Sequence, residues 1–171
     1  MNEVRIRDAI QDDAEGIAAI YGHHVLNGTA SYDLVPPPAD YLRQKVETIS
    51  QSGWPFLVAE RQGAVIGYAY VTQFRDRDAY RFTAEDSIYV HADWMGQGIG
   101  SRLLDALVER SVAFGFRTII AVIGGAEPGS IALHLKHGFR EVGRLSAVGW
   151  KHERWLDSVY MQLEMRPAAD Y

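Results

Sequence analysis

The stretch that decides the fold runs from Ser87-Ile88-Tyr89-Val90 through Met95-Gly96-Gln97-Gly98-Ile99-Gly100 to Phe114. Ser87–Val90 predict a strand, and leucines and valines at helical spacing predict a helix over 99–114. The alternate glycines between them predict a sharp turn whose main chain a ligand can approach. The first N–H groups of a helix lack partners within the helix, and the helix dipole favours an anion there. The turn therefore predicts a phosphate or pyrophosphate site that needs no basic side chain.

An ordinary strand-to-helix turn is another explanation of these glycines, and it stays open because glycine motifs alone are weakly specific. Two other kinds of phosphate-binding motif are excluded by the residues in and after the turn. A P-loop ends in Gly-Lys-Ser/Thr, whereas Ser101 and Arg102 follow Gly100 here. A dinucleotide fingerprint needs its third glycine one residue later and an acidic residue about 20 positions on. The segment 116–123 contains no acidic residue.

The rest of the chain shows further strand and helix patterns. Strands are predicted near residues 4–7, 56–59, 65–71, 87–90, 118–123, 140–148 and 158–164, and helices near 13–25, 41–52, 99–114 and 130–136. The order β-α-α-β-β-β-α-β-α-β-β predicts a mixed β-sheet with helices on both faces. We expect one α/β (α+β) domain covering residues 1–171.

Composition limits the classes of function. The chain has 171 residues, a net charge of −5 and no basic block, which disfavours nucleic acid and anionic membranes as partners. No apolar run approaches the roughly 20 residues of a membrane helix, and the first residues lack a signal-peptide pattern. There is no cysteine, and the histidines show no metal-ligand spacing. We expect a cytoplasmic enzyme without a metal.

The segment Val90–Leu104, with Gly-x-Gly-x-Gly between a strand and a long helix, resembles the GNAT superfamily of acyl-CoA-dependent N-acyltransferases. The chain is most similar to the branch that acetylates phosphinothricin and methionine sulfone or sulfoximine. This similarity is carried by Glu85-Asp86-Ser87-Ile88-Tyr89-Val90, Ala121-Val122-Ile123-Gly124, Leu133-His134 before Gly138-Phe139, and Lys151-His152 with Trp155-Leu156-Asp157. The resemblance implies acetyl-CoA as donor, the α-amine of a small amino-acid-like compound as acceptor, and a homodimer.

The resemblance also implies which residues bind acetyl-CoA. They are Ile88, Tyr89, Val90, Gly96, Gln97, Gly98, Ile99, Gly100 and Ser101, together with Glu127 and Lys136. We expect N–H groups of Ile88 to Val90, left unpaired where the sheet splays, to bind the pantetheine arm and the acetyl oxygen. Met95 replaces the usual Arg or Gln of the superfamily, and Glu127 replaces an Asn. An ionised carboxylate accepts hydrogen bonds but donates none, so contact at Glu127 is the weaker expectation.

Acetyl transfer to an ammonium group needs a base, because the protonated amine is not a nucleophile. Glu85 begins the strand that leads to the glycine turn and matches the catalytic carboxylate of the branch. The alternative is a solvated acid beside Asp86. His134 falls where many superfamily members have the tyrosine that protonates the thiolate, and histidine is able to do this near neutral pH. The alternative is a histidine hydrogen-bonded at the edge of the core.

Arg75 and Arg77 precede the strand of Glu85, and arginine pairs with carboxylates and phosphinates through two hydrogen bonds. We predict that Arg75, Asp76, Arg77, Glu85, Asp86 and Ser87 bind the acceptor. A self-paired surface loop is the alternative for residues 75–78. The alternative functions are a peptide or protein N-acetyltransferase and a non-catalytic acyl-CoA-binding domain. Glu85 and His134 argue against the latter, which has no use for an acid and a base.

Overall fold

The structure is a computed structural model that describes residues 3–165. The strands are β1 (Arg5–Asp8), β2 (Phe56–Arg61), β3 (Ala64–Gln73), β4 (Thr83–Val90), β5 (Thr118–Gly124), β6 (Arg140–Lys151) and β7 (Arg154–Glu164). The helices are α1 (Ala14–Asn27), α2 (Ala39–Gln51), α3 (Ile99–Phe114) and α4 (Pro128–Lys136). The predicted order of strands and helices is confirmed. That they form one domain over residues 1–171 stays a prediction.

The strands form one seven-stranded sheet in the order β1-β2-β3-β4-β5-β7-β6. Its central pair, β4 and β5, is parallel, and every other neighbouring pair is antiparallel. A parallel pair needs a crossover connection, and α3 provides it. Hydrogen bonding between β4 and β5 runs from Thr83 and Thr118 only as far as Asp86 and Ala121. Both strands continue beyond that point, so the sheet contains an internal gap.

The direction of the backbone groups in this gap follows from the pairing of β4 with β3. The N–H of Phe74 donates to the carbonyl of Thr83, and the N–H of His91 donates to the carbonyl of Ile66, at 2.9 Å each. Backbone groups alternate in direction along a strand. The N–H and C=O groups of the even-numbered residues of β4 therefore point toward β5. Ile88 and Val90 therefore direct N–H and C=O groups into the gap. The splayed sheet edge that we expected is present at these residues.

Helices cover both faces of the sheet, as predicted. On one face, leucines of α3 pack with β5 and β7 in a core that includes Leu103, Leu107 and Met161. On the other face, α1 and α2 pack on β2 and β3 around Ile20 and Val46. Because neighbouring side chains of a strand point to opposite faces, Glu85 and Asp86 lie on opposite sides of the sheet. This separation decides what each carboxylate is able to do.

The loop between α1 and α2 closes one end of the gap. The Tyr32 hydroxyl donates to the carbonyl of Asp157 at 2.7 Å and accepts the N–H of Gly125 at 3.2 Å. A Cβ on Gly125 would overlap the Thr29 side chain. The ammonium of Lys151, which is almost fully buried, donates to the carbonyl of Ser31 at 2.7 Å. The loop is therefore fixed to both β5 and the β6–β7 hairpin.

Some boundaries differ from the prediction. β6 and β7 are longer than expected and meet at the two-residue turn His152-Glu153, whose φ angles are 51° and 58°. The motif from Lys151 to Asp157 is thus the tip of a hairpin. α4 begins at Pro128 rather than Ser130, because the carboxylate of Glu127 caps its first turn. Within residues 3–165, no helix has the length and apolar character required to span a membrane.

Candidate active site

The glycine turn joins β4 to the first turn of α3. Gly96 and Gly98 have φ angles of 72° and 80°, and Gly98 is the N-cap residue of α3. These left-handed conformations favour glycine, and a Cβ at either position would have no protein atom within 4 Å. Gly100 differs, because its Cβ would lie 3.3 Å from the Leu133 side chain of α4. The first two glycines thus shape an open turn, and the third permits close helix packing.

A groove of about 780 Å³ runs from this turn to the gap between β4 and β5. The predicted acetyl-CoA residues line it, with the exception of Gln97 and Ile99. The Gln97 amide instead donates to the carbonyl of Asp93 at 2.9 Å, and the Ile99 side chain lies in the core. The side chain of Ile99 is therefore not available to a ligand, whereas its backbone and that of Gln97 lie in the turn. Groove residues that the sequence did not reveal include His23, His24, Asn27, Trp94, Leu133 and Arg154.

The groove fits a pyrophosphate and its adenosine and pantetheine arms. The N-terminus of α3 supplies unpaired N–H groups at the open turn. Lys136 adds a positive charge, and its ammonium donates to the Ser101 hydroxyl at 3.3 Å. Arg154 lines the same groove. The N–H groups and the two basic side chains would stabilise an anion in the groove, despite the net charge of −5.

Glu127 lines the groove, but its carboxylate is already engaged. Its oxygens accept the N–H groups of Gly129 at 3.1 Å and Ser130 at 2.7 Å. Such an N-cap stabilises a helix by roughly 1 kcal/mol. The structure therefore gives Glu127 a role in starting α4, and its contact with acetyl-CoA stays a prediction.

His24 of α1 holds the end of β4. Its Nε2 lies 2.8 Å from the carbonyl oxygen of Val90. Burial lowers the pKa of His24, although the Val90 carbonyl opposes this. The neutral ring then donates its Nε2–H to that carbonyl, which leaves the N–H groups of Ile88 and Val90 for a ligand in the gap. No local sequence signal marks His24, because the contact spans 66 positions of the chain.

Glu85 is part-buried on the α1–α2 face of β4. Burial raises the pKa of its carboxyl group, the positive charge of Arg75 lowers it, and the charge of Asp86 raises it further. The net effect is a pKa above the ordinary value of 4.5. A carboxylate with a raised pKa is a stronger base at neutral pH.

The loop that carries Arg75 lies beside Glu85. Arg75 Nη1 is 3.8 Å from Glu85 Oε2, and its guanidinium is 4.0 Å from the centre of the Phe74 ring. The Gln73 amide donates to the carbonyls of Arg75 and Arg77, at 2.6 and 3.0 Å. The side chains of Asp76 and Arg77 are exposed. Arg75 Nη1 also donates to the carbonyl of Phe74 at 2.9 Å, so Arg75 contacts both its loop neighbour and Glu85.

His134 and Asp86 form a buried pair on the opposite face. His134 Nε2 lies 2.9 Å from Asp86 Oδ2, and His134 Nδ1 lies 2.7 Å from the carbonyl oxygen of Ser130. The side chains of His134 and Asp86 are 2% and 1% exposed. Burial lowers the pKa of His134, but the hydrogen bond and charge of Asp86 raise it more, so the net shift is upward. Asp86 therefore faces His134 and not the loop of Arg75, where the predicted substrate contact would lie.

A small cavity of about 50 Å³ lies beside the Asp86–His134 pair at the gap. It is lined by Asp86, Ser87 and Ile88 of β4, by residues 121–124 of β5, and by Ser130 and His134 of α4. Glu85 does not line this cavity; it precedes Asp86 on β4 and points to the opposite face of the sheet. Among residues 3–165, no group of three or more His, Asp or Glu side chains is placed to hold a metal ion.

Comparison with known proteins agrees with this arrangement. Residues 22–139 match the model of the Acetyltransferase (GNAT) family. The phosphinothricin N-acetyltransferase of Alcaligenes faecalis is 45% identical over 158 residues, 92% of this chain and 80% of that protein. The L-methionine sulfoximine/L-methionine sulfone acetyltransferase of Pseudomonas aeruginosa is 40% identical over 163 residues, 95% of each chain. The crystal structure of a phosphinothricin acetyltransferase from Sinorhizobium meliloti in complex with AcCoA has a TM-score of 0.92 and 49% identity, and the match covers 95% of this chain and 88% of that one.

The chain belongs to the acetyltransferase (GNAT) family. The family predicted from the glycine turn and the segment Val90–Leu104 is therefore confirmed, as is the closer similarity to phosphinothricin and methionine sulfoximine acetyltransferases. The roles of the individual site residues stay predictions.

Replacing Gly98 with valine tests the glycine turn. A β-branched residue at a φ of 80° carries backbone strain of about 1–3 kcal/mol, which the turn relieves by moving its N–H groups. We expect acetyl-CoA to bind roughly tenfold or more weakly in calorimetry. Gly63→Val is the matched control, because Gly63 has the same φ of 80° and open surroundings but lies in the β2–β3 turn. Equal affinity in both variants would place the pyrophosphate elsewhere.

Proposed function

We propose that this enzyme transfers the acetyl group of acetyl-CoA to the α-amine of a small amino-acid-like compound with an acidic or strongly polar side group. Phosphinothricin and methionine sulfone or sulfoximine are the model acceptors. The observation that carries the proposal is the placement of Arg75 beside Glu85 at the gap, 3.8 Å from its carboxylate. One group suits the acidic part of the acceptor, and the other suits its ammonium group.

The reaction begins with loss of a proton from the acceptor ammonium. α-Amino groups titrate near about pH 8, so most of the acceptor is protonated at neutral pH. Glu85 accepts this proton, directly or through a water, and its raised pKa makes it suited to the task. The N–H groups of Ile88 and Val90 point into the gap and stabilise negative charge on the acetyl oxygen. On the other face, we assign to His134 the supply of a proton to the departing thiolate.

A panel of acceptors separates this proposal from its alternatives. Acetyl-CoA turnover is measured with phosphinothricin, methionine sulfone, methionine sulfoximine, standard amino acids and short peptides. We expect the highest kcat/KM among the small acidic or oxidised amino acids, because the arginine loop and Glu85 form a site for a compact ligand. A preference for peptides would favour peptide or protein acetylation. Acetyl-CoA binding without turnover of any amine would favour a non-catalytic role.

The change Glu85→Gln keeps the shape of the side chain and removes the base. General base catalysis contributes about 10²–10⁴-fold, so we expect kcat at neutral pH to fall by that factor while acetyl-CoA binding is retained. The activity of the variant relative to wild type should increase as the pH rises, since free neutral amine becomes abundant without help from the enzyme. Wild-type kcat and an unchanged pH profile would assign the base to another residue.

The changes Arg75→Ala and Arg77→Ala test the acceptor pocket. Loss of a charge-assisted hydrogen bond should raise the acceptor KM about 10- to 100-fold and leave the acetyl-CoA KM nearly unchanged. The two variants should differ in pH dependence. Arg75 lowers the pKa of Glu85, so its removal raises that pKa, and the acidic limb of the rate profile moves to higher pH. Arg77→Ala should leave this limb in place, and equal effects on both substrates would contradict the assignment.

We also infer that two copies of the chain form a dimer through the β6–β7 hairpin. β6 is an edge strand of the sheet, and unprotected edges pair readily with other chains. Apolar side chains are exposed along this hairpin, including Leu145, Val148, Trp150 and Trp155 at 47–64%. Tryptophan is the residue most enriched at the energetic centres of interfaces. A second copy that presents the same apolar hairpin would bury these side chains.

The oligomeric state tests this inference. Light scattering should give the mass of a dimer for wild type and of a monomer for Trp155→Glu, because a charge buried in the interface is costly. Val112→Glu is the control, since Val112 is 49% exposed on α3. A wild-type monomer, or a dimer that survives Trp155→Glu, would contradict an interface at this hairpin.

A further inference from the structure

The hydrogen bonds of the Asp86–His134 pair fix its proton count. A carbonyl oxygen only accepts hydrogen bonds, so His134 Nδ1, 2.7 Å from the Ser130 carbonyl, must carry a hydrogen. At 2.9 Å, His134 Nε2 and Asp86 Oδ2 then share a second proton. Either the imidazolium donates to a carboxylate, or a carboxylic acid donates to neutral imidazole. In both cases the pair holds one proton in addition to the one on Nδ1.

The second carboxylate oxygen of Asp86, Oδ1, offers a route by which a proton could leave this pair. Asp86 Oδ1 is buried, and it has no hydrogen-bond partner among residues 3–165. A buried carboxylate oxygen without a partner is costly, so it is normally satisfied by a ligand or a water. Asp86 lines the cavity of about 50 Å³ at the gap. A water needs about 10–15 Å³, so this cavity has room for one beside Oδ1.

We propose that Asp86 and His134 act together as the acid of the reaction, and that their shared proton passes to the departing CoA thiolate by way of Asp86 Oδ1 or a water bound to it. This inference rests on the proposed acetyl transfer. It replaces a lone His134 acid, since both ring nitrogens of His134 are engaged. Asp86 becomes a catalytic residue, and His134 holds the proton beside it.

The surroundings of the pair favour retention of this proton at neutral pH. Asp86 raises the pKa of His134 above the ordinary 6.5, although burial opposes it. Two other ionisable groups on β4 feel the charge of Asp86, namely Glu85 and Tyr89. Residues 121–124 of β5 carry no ionisable side chain. On α4, Lys136 is exposed and hydrogen-bonded to Ser101. The partner that sets the charge state of His134 is therefore Asp86.

The step balances in atoms and charge. The acceptor nitrogen loses two protons in all: Glu85 takes the first before attack, and the second passes through water to solvent after the new N–C bond has formed. The C–S bond of the thioester breaks, sulfur keeps its electron pair, and sulfur takes the shared proton of the Asp86–His134 pair. The pair then regains a proton from solvent and Glu85 releases one, so the enzyme returns to its starting state and one proton is released in each turnover. The proton transfers at Glu85 and at the pair occur on opposite faces of β4.

The change Asp86→Asn tests the pair while keeping its geometry. The Asn amide donates to neutral His134 Nε2, so the hydrogen bond remains and the shared proton is lost. Thiolate is a fair leaving group, so we expect kcat to fall at the lower end of the range for acid–base catalysis, about 10²-fold. Without the carboxylate, burial lowers the pKa of His134. The activity of Asp86→Asn relative to wild type should therefore increase as the pH falls, opposite to Glu85→Gln.

A matched control is a second Asp–His pair near the end of α4. Asp105 of α3 and His137 after α4 form this pair at 2.8 Å, with Asp105 71% exposed. Asp105→Asn should keep wild-type rates and pH profile. A pH-independent loss in Asp86→Asn would indicate a structural role only and overturn the proposal, as would a wild-type rate.

A second measurement uses the protein without acetyl-CoA. The ring ¹⁵N resonances of His134 report whether both nitrogens carry, or share, a proton. In wild type this state should persist to a pH above 6.5, whereas in Asp86→Asn it should be lost at a pH below 6.5. Identical titration in the two proteins would contradict the shared proton. If no amine were acetylated by wild type, the proposed function would fail, yet this titration would still test the pair.

Discussion

Hydrogen bonding between β4 and β5 ends at Asp86 and Ala121, and the site depends on this interruption. Beyond it, the backbone of Ile88 and Val90 still points toward β5, where no strand receives it. Backbone groups left without partners cost free energy, about 1–3 kcal/mol each when buried. Because this edge lies in the middle of a seven-stranded sheet, another protein chain has poor access to it. It is suited to a narrow, extended ligand such as pantetheine.

The gap is held open by contacts from all sides. β4 remains paired with β3, and β5 remains paired with β7 as far as Gly124 and Ser158. The α1–α2 loop is fixed at the far end by Tyr32 and by the buried ammonium of Lys151. His24 is hydrogen-bonded to the carbonyl of Val90, and the N–H of Val90 is left for a ligand. The edge is thus shaped before a ligand binds, which reduces the ordering cost of binding.

The alternation of side chains along β4 divides the chemistry between two faces. Glu85, with Arg75, lies on the face that α1 and α2 cover, and Asp86, with His134, lies on the face of α4. Each carboxylate has a different environment although the residues are consecutive. Glu85 is part-buried and faces an arginine, whereas Asp86 is fully buried and faces a histidine. In the mechanism that we propose, this separation allows one face to accept a proton and the other to supply one.

The sequence by itself determined the order of strands and helices and the glycine turn at the start of α3, because these follow from local periodicity and from the backbone freedom of Gly96 and Gly98. It identified the family through the resemblance of Val90–Leu104 and the other quoted motifs to known members. It also selected Glu85 and His134 as candidate groups. It did not reveal that the side chains of Gln97 and Ile99 are directed to Asp93 and into the core, because side-chain direction in a turn depends on packing; their contact with acetyl-CoA stays a prediction.

Only the tertiary structure determined which groups hydrogen-bond to each other in the site. His134 and Asp86 are 48 positions apart, and His24 and Val90 are 66 apart, so no local pattern records either contact. Whether a carboxylate binds substrate or pairs with a histidine depends on the face of the sheet to which it points. That direction is set by the register of β4 against β3 and β5, which is fixed when the sheet forms around its two cores.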